Sequence, residues 1–143
     1  MAKLTVKVEL PLSPDETWKH ASDLSEFERW FVVHDGWRGD LPAELATGTE
    51  LQSVVTVKGL RNRVKWTIKE YAPPRRLVLK GDGKGGVKLG LNLEVKEKGS
   101  GSEVVFTVEL GGAPLFGPIG SGVAKALKGD IEKSLKTFTE IYA

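Results

Sequence analysis

From Pro118 onward the apolar residues change their spacing, and that change limits what the chain can fold into more than any other feature. Ile119, Val123, Leu127, Ile131, Leu135 and Phe138 recur three or four positions apart, with lysines and acids between them. This is the stripe of an amphipathic helix. Such a helix runs ~35 Å at 1.5 Å per residue, enough to cross a small domain. Upstream the period is two. Leu4, Val6, Val8 and Leu10 alternate with Lys3, Thr5, Lys7 and Glu9, which gives a strand with one buried and one wet face. The same reading predicts strands over 51–57, through Val64, Trp66 and Ile68, over 77–80, across Val87 to Val95, and through Val104, Phe106, Val108 and Leu110. Short turns join most of them, so the sheet is antiparallel. A sheet with one wet face must cover the other, and the last helix supplies the cover.

Between the first two strands the chain carries helix-start signals. Ser13-Pro14-Asp15-Glu16 combines an N-cap serine, a proline at the first helical position and a capping-box glutamate. A second start at Asp23 or Ser25 precedes the apolar set Leu24, Phe27, Trp30 and Phe31. The stretch 33–48, with His34, Trp37 and Pro42, reads as a loop over the fold. The expected fold is therefore α+β, in a helix-grip arrangement. A six-stranded curved antiparallel sheet wraps around a long C-terminal helix, with two short helices after strand one, in a single domain spanning 1–143.

Composition narrows the chemistry. The absence of cysteine removes disulfides, thiolate metal ligands and a thiol nucleophile, and suits a cytoplasmic location. No apolar run approaches the ~18 residues of a membrane span, so membrane insertion is not expected. The net charge of +2 is too small to demand nucleic acid. Arg61, Arg63, Lys65 and Lys69, with Lys58 nearby, line the outward face of one strand without interleaved aromatics. They read as a solvated face whose lysines guard against edge pairing. Gly81, Gly83 and Gly86 fit G-x-G-x-x-G. A strand follows them, though, where a dinucleotide site needs a helix, so they form a hairpin turn. His20 and His34 lack any metal-binding spacing, and no metal or cofactor is expected. His34, beside Asp35, is the one candidate proton carrier.

A sheet curling around one helix leaves a gap where the two diverge. Gly117, Gly120 and Gly122 remove side chains near the start of the helix, and Phe116 and Ile119 stand among them. Large rings with polar tips then suit a small-molecule site. The candidate lining is Trp30, His34, Trp37, Trp66, Leu89, Leu91, Phe106, Phe116, Ile119, Gly120 and Val123, with His34 as the polar handle. Plain packing is the competing explanation, since tryptophans are usually core and glycines also permit close approach.

The segments HASDLSEFERWFVVHDGWRGDLP, VKGLRNRVKWTI, LKGDGKGGVK and GGAPLFGPIGSGVAKAL are spread over nearly the full length. They resemble the START/polyketide cyclase-like superfamily of helix-grip proteins, and in particular its actinobacterial branch of toxins from type II toxin–antitoxin pairs. The resemblance implies a deep apolar pocket for lipids, steroids, polyketides or hormones. It brings no catalytic motif that transfers position by position. Three readings follow: a binder of a small apolar or aromatic molecule, a toxin with an antitoxin partner, and a cyclase or dehydratase using His34.

Overall fold

The computed structural model describes residues 2–57, 59–112 and 118–143; the side chains of Ala2 and of 118–120 fall outside that description. One antiparallel sheet has the strand order β1-β7-β6-β5-β4-β3-β2. In chain order these are β1 (Ala2–Leu10), β2 (His34–Arg38), β3 (Glu50–Val57), β4 (Leu60–Ala72), β5 (Arg76–Gly83), β6 (Lys88–Lys98) and β7 (Gly101–Gly111). Helix α1 (Pro14–Ala21) and α2 (Phe27–Trp30), the latter preceded by a 3₁₀ turn at Leu24–Glu26, follow β1. Helix α3 spans Pro118–Tyr142. Both N-caps form: the Ser13 hydroxyl accepts from the Glu16 N–H, and Asp23 accepts from the Ser25 N–H.

The sheet has seven strands, where the alternation predicts six. The extra one is β2, inside the segment read as a loop. It escapes pattern reading because it is five residues long, contains Gly36, and shifts register between His34 and Gly36 where it pairs with β3. Its alternation is therefore broken by a bulge. His34 and Trp37 accordingly lie on a strand and not on a covering loop. A second expectation also changes: β4 is flanked by β3 and β5, so its basic row does not guard an edge. Part of that row is ion-paired, Arg61 with Asp35 and Lys65 with Glu50. The glycine-rich turn is shorter than expected, since Gly81 and Gly83 belong to β5 and only Lys84–Gly86 forms the turn before β6.

Strand register sorts the inner face into rungs. Leu4, Val108, Leu91, Leu79 and Ile68 lie across from one another, and so do Leu110, Leu89, Gly81, Trp66 and Leu51. Against these pack Val123, Leu127, Ile131, Leu135 and Phe138 of α3, all buried. Two buried hydroxyl contacts fix the helices. Thr17 of α1 and Ser102 of β7 share a 2.6 Å hydrogen bond. Ser134 of α3 accepts from the Val32 N–H at 2.9 Å and donates to the Asp130 carbonyl at 2.8 Å. That second pair ties α3 to the connection between α2 and β2.

Candidate functional site

The helical turn that caps at Asp23 delivers Phe27, Trp30 and Phe31 to the inner side of the sheet, where all three are buried. They form a continuous aromatic cluster. Trp30 meets Phe138 and Phe106 edge-on at 5.2 and 6.0 Å between centroids, and Phe27 at 5.2 Å. His34 joins through Phe27 at 5.9 Å and Trp37 at 4.7 Å. Edge-to-face geometry at these separations is favourable, worth about 1 kcal/mol per pair beyond burial.

The polar atoms of this cluster divide into two groups. Trp37 Nε1–H donates to the Leu24 carbonyl at 2.7 Å, which anchors β2 to the turn before α2. Trp66 Nε1–H donates to Ser53 Oγ at 2.8 Å. Those indoles are committed to the fold. By contrast, Trp30 Nε1 and His34 Nε2 are buried with no hydrogen-bond partner among the described residues. Trp30 is 2% exposed and His34 8%. An unpaired buried polar group costs roughly 1–3 kcal/mol, so two of them in one aromatic cluster call for an explanation.

The charge state of His34 follows from its surroundings. Burial lowers its pKa to about 4, although the nearby Asp35 carboxylate opposes the shift. Asp35 itself is exposed and engages Arg61 Nε at 3.2 Å and the Thr56 hydroxyl at 3.3 Å. His34 is thus neutral at pH 7, with an uncharged ring able to exchange one hydrogen bond at Nε2. Among the described residues, no three His, Asp or Glu side chains gather as a metal site.

Of the residues singled out in the sequence, Trp30, His34, Trp37 and Phe106 come together directly or through Phe27 and Phe31. Trp66 and Leu89 flank Gly81 on one rung, with Leu91 on the next. Gly81 is required there: a Cβ would stand 2.6 Å from Val64 Cγ1 and 2.7 Å from Trp66 Cε3. Val123 is buried on α3. Phe116 and Gly117, and the side chains of Ile119 and Gly120, lie outside the described residues. Sequence reading missed Ser53, a buried hydroxyl on the inner face. The signal was present, since Ser53 falls at the inward position between Leu51 and Val55. Phe138 belongs to the helix stripe and is also an aromatic neighbour of Trp30.

A curled antiparallel sheet covered by a long C-terminal helix, with aromatic residues between the two, defines a helix-grip protein. The chain belongs to the polyketide cyclase/dehydrase and lipid-transport family, whose pattern matches residues 1–141. It is 50% identical over 143 residues to a Mycobacterium tuberculosis protein named Toxin Rv0910, covering 100% of this chain and 99% of that one. It is 46% identical to the uncharacterized protein Rv1546 of the same organism, covering 99% of each. Among solved structures it is similar to TTHA0849 of Thermus thermophilus, with a TM-score of 0.79 and 19% identity over 97% of this chain and 95% of that one. It is also similar to Ara h 8.0201, with a TM-score of 0.70 and 12% identity over 99% and 97%. At those identities the two structures speak for the fold alone.

Proposed function

We propose that this protein binds a small, uncharged and largely apolar molecule that carries a carbonyl or hydroxyl oxygen. The observation that carries the reading is the pair of buried nitrogens without a described partner, Trp30 Nε1 and His34 Nε2, within an aromatic cluster. The indole N–H only donates, so its partner must be an acceptor such as oxygen. The neutral His34 ring offers no positive charge to offset a carboxylate, which favours an uncharged ligand. Trp66, Leu89, Leu91, Phe106 and Val123 would supply the apolar wall. Trp37, whose N–H is spent on Leu24, would contribute ring surface only. Family membership supports the ligand class, and the lack among the described residues of a helix long and apolar enough to span a membrane fits action in the cytoplasm.

Titration of the intrinsic tryptophan fluorescence with a panel of sterols, fatty alcohols and aromatic polyketides tests this directly, alongside thermal melts. A ligand at 100 times its Kd adds about 2.7 kcal/mol of stability, so a real ligand raises the melting temperature by several degrees. Unchanged emission and melting across the panel, with a matched fatty acid behaving no differently, would count against the reading.

The likeness to Toxin Rv0910 over the whole chain supports a second reading, the toxin of a toxin–antitoxin pair. Expression should then arrest growth, and a small protein encoded beside it should relieve the arrest. Harmless expression with no such neighbour would remove it.

A further inference from the structure

The two outer strands of the sheet differ in how they meet solvent. At one end β2 is five residues long and is bulged at Asp35, both features that discourage another strand from pairing. At the other end β1 is nine residues long and pairs with β7 in unbroken register from Ala2 to Leu10. It has no internal proline, no bulge and no inward-facing charge. Its inner row, Leu4, Val6 and Val8, stays half-buried, whereas Val104, Phe106 and Val108 opposite are fully buried. Apolar surface therefore runs to the open margin of the sheet. Beside that margin, between β1 and α3, lies a groove of about 480 Å³ lined by Val6, Val8 and Leu135 together with the charged Lys7, Glu132, Lys136 and Glu140.

We propose that β1 is a homodimer interface, in which the β1 strands of two copies pair antiparallel and join their sheets. The sequence of the strand selects this occupant. Antiparallel pairing about Val6 is the register that uses all nine residues. It places Lys3 opposite Glu9 of the second copy, Leu4 opposite Val8, Thr5 opposite Lys7, and Val6 opposite itself. Both ends form opposite-charge pairs on the outer face and the centre forms apolar pairs on the inner face, which is the pattern that stabilises neighbouring strands. Moving the register by one step of the pleat in either direction sets like charges together. Centring on Thr5 opposes Lys3 to Lys7 twice, and centring on Lys7 opposes that lysine to its own copy. In the single copy Glu9 already meets Lys98 at 3.4 Å, and Lys98 also reaches Glu103 at 3.8 Å. Lys98 therefore keeps an acidic neighbour when Lys3 of the second copy approaches Glu9.

Sedimentation velocity of the full chain over a range of concentrations reads the assembly state, and the expected result is a monomer–dimer equilibrium. Lys3→Glu and Glu9→Lys each replace two attractive pairs with two repulsive ones, and should weaken the dimer about tenfold. The double variant should restore it, and circular dichroism should show all three folded, because both positions are exposed on the outer face. Since the chain has no cysteine, Val6→Cys introduces a single thiol on the two-fold axis. Opposed residues of an antiparallel pair have Cα atoms about 4.5–5.5 Å apart, within disulfide reach, so mild oxidation should cross-link it. Lys3→Cys, whose thiols would lie about 20 Å apart at 3.3 Å per residue, should stay uncross-linked. A monomer at every concentration overturns the proposal and leaves this margin to a strand from a different protein. A dimer in which Val6→Cys does not cross-link, or in which the charge reversals have no effect, overturns it equally.

Discussion

The inner face of the sheet has two ends that obey different rules. Where α3 packs on β1, and α1 on β6 and β7, the buried side chains are almost wholly apolar: Leu93, Val95, Val104, Phe106, Ile131, Leu135 and Phe138. The polar groups placed there, Thr17 with Ser102 and Ser134 with Val32, are paired. Where β2, β3 and β4 face the aromatic cluster, the interior holds His34, Ser53 and the Trp66 indole, and one buried nitrogen of His34 has no partner among the described residues. Trp30 stands between the two, packed on Phe106 and Phe138 yet with its own N–H unpaired there. The first end is built for stability. The second carries unpaired hydrogen-bonding groups in an apolar setting, at a cost in stability.

The largest expected effect breaks the packed end. Phe138 is 1% exposed and touches both Trp30 and Tyr142, so Phe138→Ala should cost about 3–5 kcal/mol, measured by urea denaturation. A loss below about 1 kcal/mol would mean that this end is not close-packed.

The next effect belongs to the other end and comes from His34. Its pKa is about 4 in the folded protein and near 6.5 when unfolded. Between those values the unfolded chain takes up a proton that the folded chain refuses. Stability is therefore complete above about pH 6.5 and falls as the pH drops toward 4, by roughly 3 kcal/mol in all. His34→Gln should flatten that part of the stability–pH curve. An unchanged slope in the variant would place the acid sensitivity elsewhere.

A smaller effect probes the link between the ends. Ser134→Ala leaves the Val32 N–H without its acceptor, an expected loss of about 1–2 kcal/mol. Hydrogen exchange at the Val32 amide should accelerate together with that loss. Equal protection in the variant would show that the contact does not hold the segment.

Legibility from sequence divides along the same line as the two ends. The packed end is regular structure with long runs of one period, so β1, β6, β7 and the α3 stripe are visible in the spacing of Leu, Val and Ile alone. The polar end depends on features without a period. β2 is short and bulged. Ser53 is one hydroxyl in an apolar row, and the partners of Trp37 and Trp66 come from residues 13 positions away in each case. Composition could mark Trp30, Trp37 and Trp66 as a group. It could not show which N–H was already bonded, because that depends on where Leu24 and Ser53 arrive in three dimensions.

That distinction supplies the finest test, since Trp30→Phe and Trp66→Phe remove the same atoms from two buried indoles. Their shared cost is lost packing. Trp66→Phe also strips Ser53 Oγ of its 2.8 Å donor, whereas Trp30→Phe removes an N–H that has no described protein acceptor. In the unliganded protein Trp66→Phe should therefore be the more destabilising, by about 1 kcal/mol. In a ligand titration the order should reverse. Trp30→Phe would lose a hydrogen bond to the bound oxygen and about tenfold in affinity, while Trp66→Phe would change affinity less. If the two variants are equally destabilised and bind equally well, the unpaired indole has no role in recognition and the two ends differ only in packing.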